Sequence, residues 1–372
     1  MTKQQQKISV IVSSLLKWFS RDARDLPWRR TRDPYAIWVS EIMLQQTQVK
    51  TVIPFWERWM QALPTIADAA AASSDQIHKL WEGLGYYTRV RNLQKAAQVI
   101  VEKHQGKFPE QFAEVLALSG IGRYTAGAIC SIAFDQPTPL LDGNVIRVLT
   151  RLFAIAENPK DKETNDRLWK LAETLVNQAA ASAPCSPLLS PLSSLPSPRC
   201  SFLNQSLMEL GALVCTPRQP LCLLCPVQPL CEAARLQRPE AFPNLSDRIP
   251  STAREFMAFV VESSGEVLVC QRPAGVVNAH LWEFPNLECF LRNMDPRETF
   301  RGLFHVEAKT LKPLCVVKHS ITRYRMTLTA YQVTINRRSP HLPGKWVKLE
   351  KLANLAFAAA HKKVVGAALK SR

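Results

Sequence analysis

Apolar residues recur every three or four positions along the first half of the chain, which is the spacing of helices with one buried face. The pattern predicts helices over residues 7–180, separated by short turns rich in proline, glycine and aspartate. The clearest segments are ISVIVSSLLKWF, IWVSEIMLQQTQVKTVIPFWERWM, SDQIHKLWEGLG, VRNLQKAAQVIVEKH and DRLWKLAETLVNQA. We therefore expect an all-α domain over residues 1–235.

The pattern changes twice further along. Residues 181–201 contain five prolines and seven serines, which predicts a disordered insertion because that composition neither propagates a helix nor packs a core. A polar stretch at 236–252 predicts a linker. Residues 253–372 then alternate as strands do in EFMAFVVES, EVLVCQR, LKPLCVVKHS and YRMTLTAYQVTI, with helical patterns in PRETFRGLFHVEA and LANLAFAAAHKKVVGAALK. These residues predict a second, smaller α+β domain.

Composition narrows the possible partners. The 372 residues are 47% hydrophobic and 21% charged, so the chain can bury cores without covalent staples. The formal net charge of +16 favours a polyanion such as nucleic acid, although a merely basic surface is the alternative. We find no secretory signal and no apolar run long enough to span a membrane, so we expect a cytoplasmic protein without disulfides.

Four of the ten cysteines form a cluster in which successive cysteines are separated by six, two and five residues. Cys215, Cys222, Cys225 and Cys231 would supply four thiolates, which suit either tetrahedral zinc or an iron–sulfur cluster. The spacing alone leaves both possibilities open. The remaining cysteines are scattered, and we expect free thiols there.

The segment LALSGIGRYTAGAIC, residues 116–130, predicts two helices joined by a tight turn. One helix would end at Leu118, and Gly120 and Gly122 would form the turn, where glycine lets a backbone approach a ligand. The free N–H groups that open the next helix suit a phosphate. We interpret the segment as a DNA-backbone grip, with a simple helical corner as the alternative.

Two carboxyl groups are candidates for catalysis. Glu41 would lie with Gln45 and Gln48 on one helix face, beside an apolar stripe, where desolvation raises a carboxyl pKa and retains a proton for general-acid work. Asp142 precedes a predicted helix and is an ideal N-cap, just downstream of the glycine turn. The alternatives are that Glu41 is simply an exposed glutamate and that Asp142 serves only as a helix cap.

The segments RDLPWR, WVSEIMLQQTQV, GLGYYTR, GIGRYTAGAI, DGNVIRVLTR and NQSLMELGA, followed by the cysteines, resemble the MutY family of adenine DNA glycosylases in the endonuclease III superfamily. The resemblance is clear from about residue 20 to 235 and weaker beyond. It implies a helix-hairpin-helix glycosylase domain whose four cysteines, within 215–231, hold a structural [4Fe–4S] cluster. It also implies double-stranded DNA with 8-oxoguanine:A or G:A mispairs as the substrate. The expected protein is a monomer in the cytoplasm, associated with the nucleoid as in bacteria.

The resemblance also implies roles for individual residues. Glu41 would protonate a flipped-out adenine, and Asp142 would stabilise the oxocarbenium-like sugar, so the two carboxyls need different pKa values. The other implied positions are Tyr124 and Asn144 beside the catalytic carboxyls, Arg24, Trp28 and Gln205 in the adenine pocket, and Gln46, Thr47, Tyr86, Gly120, Gly122 and Arg218 at the DNA.

The second domain resembles the Nudix-like C-terminal domain of the same family, through EVLVCQRPAGVVNAHLWEFPN and GKWVKLEKLANLAFAAAHKKVV. Only Arg297 and Glu298 match the REx2EE magnesium motif of the hydrolases, so we predict lesion recognition without pyrophosphohydrolase activity. Ile321, Thr322 and Arg323 stand where the family has Phe-Ser-His, and we expect them to recognise 8-oxoguanine; a plain β-turn is the alternative.

Two rival functions make different demands on the sequence. A glycosylase with AP-lyase activity, of the endonuclease III type, needs a nucleophilic lysine at the position that Tyr124 occupies. A non-catalytic lesion-binding protein would have no use for Glu41 and Asp142. The sequence therefore favours a hydrolytic adenine glycosylase.

Overall fold

The computed structural model describes residues 2–182, 199–245, 250–290, 294–321, 323–338, 342 and 344–371. The chain forms two compact units, the first comprising Met1–Ala71 and Asn92–Asp247, the second Ala72–Arg91 and Arg248–Arg372. Most of the predicted Pro/Ser insertion, residues 183–198, lies outside the described residues. Its predicted ends are wrong, because residue 181 closes one helix and residues 199–201 open the next.

The predicted succession of helices followed by an α+β region is confirmed. In chain order the α-helices are α1 (Lys3–Asp22), α2 (Pro34–Leu44), α3 (Val49–Ala62), α4 (Ile66–Ala71), α5 (Ser74–Trp81), α6 (Thr88–His104), α7 (Phe112–Leu116), α8 (Arg123–Phe134), α9 (Gly143–Leu152), α10 (Lys162–Ala181), α11 (Arg199–Leu213), α12 (Glu232–Arg235), α13 (Pro296–Phe304) and α14 (Ala359–Lys370). Within the described chain no helix combines the length and the apolar character that a membrane crossing requires.

The first unit packs around α1, α9, α10 and α11. Leu15, Val145, Leu175 and Leu207, one from each of these helices, are fully buried in a single cluster. Burying a large aliphatic side chain contributes about 1.5–3 kcal/mol, so this cluster fixes the helices that carry the site.

One predicted helix is broken in the structure. The segment from residue 37 to 60 divides at Gln46, whose φ of 57° is left-handed and cannot continue a right-handed helix. The expectation that Glu41, Gln45 and Gln48 share one helix face is therefore wrong, because α2 ends at Leu44 and α3 begins at Val49.

The glycine turn lies between α7 and α8. The helix before it ends at Leu116 rather than at the predicted Leu118, whose carbonyl instead accepts the N–H of Ile121 at 3.1 Å. Gly120 has a φ of 77°, and a Cβ there would lie 2.7 Å from Cβ of Asn92, so only glycine fits. Helix α8 begins without a side-chain cap, which leaves its first N–H groups available.

The second unit is built on a seven-stranded mixed sheet in which β1 pairs in parallel with β6 and the other pairings are antiparallel. The main path has the order β3-β2-β1-β6-β5, with β4 beside β1 and β7 beside β2. The strands are β1 (Thr252–Ser263), β2 (Glu266–Gln271), β3 (Trp282–Glu283), β4 (Asn286–Glu288), β5 (Thr310–Ile321), β6 (Tyr324–Thr334) and β7 (Lys345–Lys348). The predicted strands correspond to β1, β2, β5 and β6.

Side chains of alternate parity along β1 enter two separate cores. Ala258 and Val260 pack with Val364 of α14, whereas Met257 and Phe259 pack with α13. The predicted helix at 352–370 is confirmed only from Ala359, because a 3-10 helix occupies Leu349–Asn354 before it.

Residues 72–91 belong to the second unit, and no feature of the sequence predicted this. Glu82 is buried there and accepts hydrogen bonds from Lys79 Nζ at 2.9 Å, Lys362 Nζ at 2.8 Å and the Phe357 N–H at 3.0 Å. Burial alone would raise the pKa of Glu82, but these donors outweigh burial and lower it. The carboxylate thus joins α5 to the end of the chain.

Candidate active site

A cavity of about 630 Å³ in the first unit is walled by α2, α8, α9 and α11. It has the size of a typical small-molecule site. The sequence-predicted residues that line it are Glu41, Asp142, Tyr124, Asn144, Arg24, Trp28, Gln205, Gln46, Thr47 and Gly122. The structure therefore brings the proposed acid, its supporting groups and the proposed adenine pocket into one place.

Glu41 is a buried carboxyl that faces this cavity and forms no salt bridge among the described contacts. It is 5% exposed, and its Oε2 accepts a hydrogen bond of 2.9 Å from the Tyr124 hydroxyl. Burial raises the pKa of Glu41 to about 7, and the negative charge of Asp142 adds to the rise, whereas the Tyr124 hydrogen bond and the positive charge of Arg29 oppose it. A carboxyl with that pKa retains a proton in a large fraction of molecules at neutral pH.

Asp142 lies in a different environment, at the N-terminus of α9. Its carboxylate accepts the Val145 N–H at 2.7 Å and the Asn144 Nδ2–H at 2.9 Å, so the predicted N-cap is confirmed. Burial raises the pKa of Asp142, whereas these hydrogen bonds and the charge of Arg147 favour the ionised form. The two carboxyls thus share a cavity but differ in the partners that stabilise a negative charge.

Glu209 is a cavity residue that the sequence did not predict. It is 1% exposed and binds two guanidinium groups, with Arg24 Nη2 at 2.6 Å and Arg29 Nη2 at 3.0 Å from its Oε2. Burial would raise the pKa of Glu209, but the hydrogen bonds from Arg24 and Arg29 hold it at about 2. Arg29 is thus ion-paired with Glu209, although its positive charge still lowers the pKa of Glu41 somewhat. The available signal was the helical spacing of Glu209 from Gln205.

Arg147 connects the neighbourhood of Asp142 to the cysteine segment. Its guanidinium donates to Asn144 Oδ1 at 2.8 Å, to the Gly211 carbonyl at 2.7 Å and to the Cys215 carbonyl at 2.7 Å. A Cβ on Gly211 would lie 2.6 Å from Cβ of Asn144, so glycine lets α11 approach α9 closely at this point. Neither Arg147 nor Gly211 was predicted, because their contacts depend on tertiary packing.

The four clustered cysteines line a single small cavity next to α9. Arg151 is buried beside them and donates from Nη1 to Cys215 Sγ at 3.3 Å. Burial raises the pKa of Cys225 to about 12, which metal coordination would have to overcome. Four thiols around one space, with a guanidinium at its wall, suit an anionic thiolate-bound group. In the part of the chain that the structure describes, no cluster of three or more candidate ligands already has metal-binding geometry.

Three of the predicted DNA contacts lie outside the large cavity. Gly120 is in the glycine turn, and Arg218 is exposed on the cysteine segment. Tyr86 belongs to the second unit, is 46% exposed and has a φ of 47°. The guanidinium of Arg89 lies 5.7 Å from the Tyr86 ring centroid and also donates to the Leu84 carbonyl, which fixes the turn behind the tyrosine.

The predicted lesion-recognition segment follows β5 in the second unit. Ile321 is the last residue of that strand, and Arg323 is exposed, with its guanidinium 3.0 Å from the Tyr324 hydroxyl. Thr322 lies outside the described residues. In α13, Arg301 and Gly302 follow Glu298 where the REx2EE pattern requires two glutamates.

Comparison with known proteins agrees with this arrangement. Residues 39–174 match the family described as HhH-GPD superfamily base excision DNA repair protein, and residues 257–367 match the NUDIX domain. Adenine DNA glycosylase from Mus musculus is 37% identical over 96% of this chain and 77% of its own length. The Homo sapiens adenine DNA glycosylase is 36% identical over 96% of this chain and 74% of its own length.

A solved structure shares part of this fold. The structure of a thermostable thymine-DNA glycosylase is 29% identical, with a TM-score of 0.54, and covers 63% of this chain and 100% of that one. The sequence-based recognition of the family is confirmed. The chain belongs to the adenine DNA glycosylase family, with a helix-hairpin-helix glycosylase domain followed by a Nudix-like domain.

Proposed function

We propose that this base excision repair glycosylase hydrolyses the N-glycosidic bond of adenine mispaired with 8-oxoguanine or guanine in double-stranded DNA. The observation that carries the proposal is a pair of carboxyls in one cavity, of which Glu41 is buried and Asp142 is half-buried. Glu41 has a pKa of about 7 and a hydrogen bond from Tyr124, whereas Asp142 accepts two hydrogen bonds that stabilise its charge. Such a pair can supply an acid and an anion to the same substrate.

In the proposed reaction the adenine leaves the duplex and enters the cavity, since its glycosidic bond is inaccessible in the stack. Glu41 donates its proton to N7 of the base. The C1′–N9 bond then breaks, its electron pair leaves with neutral adenine, and the Asp142 carboxylate faces the positive sugar. Water adds to C1′, and the proton that it releases returns to Glu41. Arg24, Trp28 and Gln205, which line the cavity, would hold the base.

The first rival, a glycosylase with AP-lyase activity, needs an amine that attacks C1′. Tyr124 occupies the position of that lysine and uses its hydroxyl to bind Glu41, and lysine does not occur among the described residues that line the cavity. The second rival, a non-catalytic binding protein, leaves the buried acid unexplained. Both observations support hydrolysis without strand cleavage.

Cys215, Cys222, Cys225 and Cys231 are the residues that would hold a [4Fe–4S] cluster. When bound, the cluster would supply four fixed metal–thiolate bonds that pin the segment, with no redox step in the reaction. Arg151 ties this segment to α9 by donating to the Thr216 carbonyl at 2.7 Å and the Pro217 carbonyl at 3.1 Å. Arg218 would then meet DNA phosphate from a rigid position.

The remaining assignments concern DNA. A net charge of +16 favours a polyanion, and the uncapped start of α8 after Gly122 suits a phosphate. Gln46 and Tyr86 would occupy the stack that the adenine vacates, while Thr47 contacts the strand. The 321–323 segment would recognise 8-oxoguanine, and we expect a monomer in the cytoplasm.

The decisive experiment is single-turnover release of adenine from 8-oxoguanine:A, G:A and T:A duplexes. We expect rapid release from the first, slower release from the second and little from the third. Borohydride is included in a parallel reaction, since it traps a Schiff base covalently. A trapped complex would favour the lyase, and absence of adenine release from every duplex would favour the binding protein.

A further inference from the structure

Gln205 is a buried amide whose two ends have different partners. Its side chain lines the large cavity of the first unit, is 8% exposed, and donates from Nε2 to Ser201 Oγ at 3.0 Å. The amide oxygen Oε1 forms no hydrogen bond among the described contacts. Desolvating an amide oxygen without a partner costs free energy, so a ligand that fills the cavity must offer it a donor.

Ser201 holds the other end of this amide from one turn earlier on α11. The two residues are four positions apart, which places them on the same face of the helix. Ser201 is 3% exposed, and its own N–H donates to Asp135 Oδ1 at 2.9 Å. Asp135 also accepts the Arg199 N–H at 3.2 Å and ends α8 in a left-handed conformation, with a φ of 54°. The first turn of α11, which carries the serine, is therefore fixed to the end of α8.

A second amide at the cavity differs from Gln205 in its partners. Asn144 uses both of its ends within the protein, because Nδ2 donates to Asp142 at 2.9 Å and Oδ1 accepts from Arg147 at 2.8 Å. In Gln205 only the donor end is bound to the protein. Its oxygen is thus an acceptor that remains for a ligand, and the serine sets its direction.

A fixed acceptor distinguishes two classes of purine. Adenine presents its N6 amino group, a donor, beside the acceptor N7 on one edge, whereas guanine and hypoxanthine present the acceptor O6 there. Glu41 lines the same cavity as Gln205, so one base edge can meet both side chains. An N6 amino group would donate to Oε1, whereas an O6 oxygen would be repelled by it. The opposite orientation, with Nε2 toward the base, would reverse this preference.

We infer that Ser201 is a positioning residue that sets the base selectivity of the site. By accepting the Nε2–H of Gln205, it holds the amide oxygen toward the base, and the site then favours 6-aminopurines over 6-oxopurines. Ser201 acts through Gln205 and does not line the cavity itself. The inference rests on the proposed function, to which it adds a residue behind the cavity wall that controls which base is accepted.

The test is single-turnover release of adenine, hypoxanthine and unsubstituted purine from duplexes in which each base is opposite 8-oxoguanine. Ser201→Ala removes the hydroxyl, so the Gln205 amide can turn either end toward the base. We expect the ratio of the adenine rate to the hypoxanthine rate to fall by at least about tenfold, because sites that hydrogen-bond a substrate group reject a mismatched analogue by up to about 10⁵-fold. Purine has no group at position 6 and should be released within about threefold of the wild-type rate.

Two further variants separate selectivity from packing. Ser201→Thr keeps a hydroxyl and should restore the ratio, whereas Ser201→Cys, a weaker hydrogen-bonding group, should lower it and replaces Ser201→Ala if that variant does not fold. Ser206→Ala is the matched control, since Ser206 is buried in the same helix but donates to the Leu203 carbonyl at 2.7 Å. Its ratio should stay within about twofold of wild type.

The role of Ser201 is overturned if the folded Ala or Cys variant keeps the wild-type ratio, if Ser206→Ala lowers it equally, or if folded Ser201→Thr behaves like Ser201→Ala. A purine rate that falls as far as the adenine rate also overturns it, since that result shows general damage to the site. A wild-type protein that releases adenine from none of the duplexes contradicts the proposed function instead.

Discussion

The cavities in the two units differ in how their charged side chains are paired. In the first unit, Glu41 is buried with a hydroxyl as its partner, while the nearby cations of Arg24 and Arg29 are bound to Glu209. In the second unit, a cavity of about 320 Å³ is lined by Arg254 and Arg272, which are each paired with a carboxylate, and by His361, whose pKa is lowered by burial to about 3, which keeps its ring neutral.

This difference indicates that the first cavity can transfer a proton, whereas the second can only bind a ligand. An uncompensated buried carboxyl stores a proton at neutral pH, and that proton can be delivered to a leaving group. A cavity whose charges are already paired has fixed donors and acceptors and nothing to transfer. We therefore expect substitutions of the carboxyls in the first cavity to change the rate of the reaction, and those in the second unit to change selectivity for the opposing base.

The largest expected effect is that of Glu41→Gln. The amide keeps the size of the side chain and an oxygen for the Tyr124 hydroxyl, but it has no acidic proton. Loss of a general acid typically costs about 10²–10⁴-fold in rate. We expect DNA binding to remain and single-turnover adenine release to fall by that factor.

Glu57→Gln is the matched control, since Glu57 is exposed on α3. It should release adenine within about twofold of wild type. A Glu41→Gln protein whose rate stays within threefold of wild type would show that another group supplies the proton.

In the second unit, Thr322→Val should narrow the preference for 8-oxoguanine:A over G:A. A hydroxyl hydrogen bond to the lesion is worth about 1–2 kcal/mol, so the ratio of the two rates should shrink by roughly 5–30-fold. G:A processing should barely change. Thr327→Val is the control on β6. Equal losses on both duplexes, or none on either, would contradict the assignment of this hydroxyl.

A smaller effect tests the charge pairing in the first cavity. The rate should fall as pH rises through about 7, because Glu41 must be protonated and burial places its pKa there. Glu209→Gln removes the carboxylate that neutralises Arg24 and Arg29. The unpaired positive charges should favour ionised Glu41 and lower its pKa. The pH at which the rate falls should therefore decrease by about one unit.

The diagnostic measurement is the pH at which the rate falls, since lost packing would lower the rate at every pH without changing that midpoint. An unchanged midpoint, or one displaced to higher pH, would show that Glu209 does not set the proton affinity of Glu41. Glu57→Gln again serves as the control and should leave the profile unchanged.

Local signals made much of this site predictable. The position of Asp142 before an amphipathic helix predicted its role as a cap, and Gly120 and Gly122 between two apolar segments predicted a tight turn. The resemblance of short motifs to one family then supplied a set of residues, most of which line one cavity in the structure. The sequence predicted apolar surroundings for Glu41, and the side chain is buried in the structure.

Other features depend on contacts between distant segments and could not be predicted from local patterns. The break at Gln46 interrupts an apolar spacing that is equally good for one helix or two. The Glu209 ion pairs join residues 180 or more positions apart. The inclusion of residues 72–91 in the second unit depends on Glu82, whose partners Phe357 and Lys362 lie near the end of the chain.

The smallest expected effect is that of replacing residues 184–198 with a short Gly-Ser linker. The sequence predicts disorder there, and the helices on either side have their own anchors. Helix α11 begins at Arg199, whose N–H, with that of Ser201, donates to the Asp135 carboxylate at 3.2 and 2.9 Å. We expect adenine release within about twofold of wild type and unchanged absorbance at about 410 nm, where such clusters absorb.

Asp135→Asn is the informative contrast, because weakening this cap should cost about 1 kcal/mol of stability in chemical denaturation while the insertion stays intact. Loss of the absorbance in the linker variant would show that the insertion supports the cysteine segment, and a normal Asp135→Asn protein would show that the cap is dispensable.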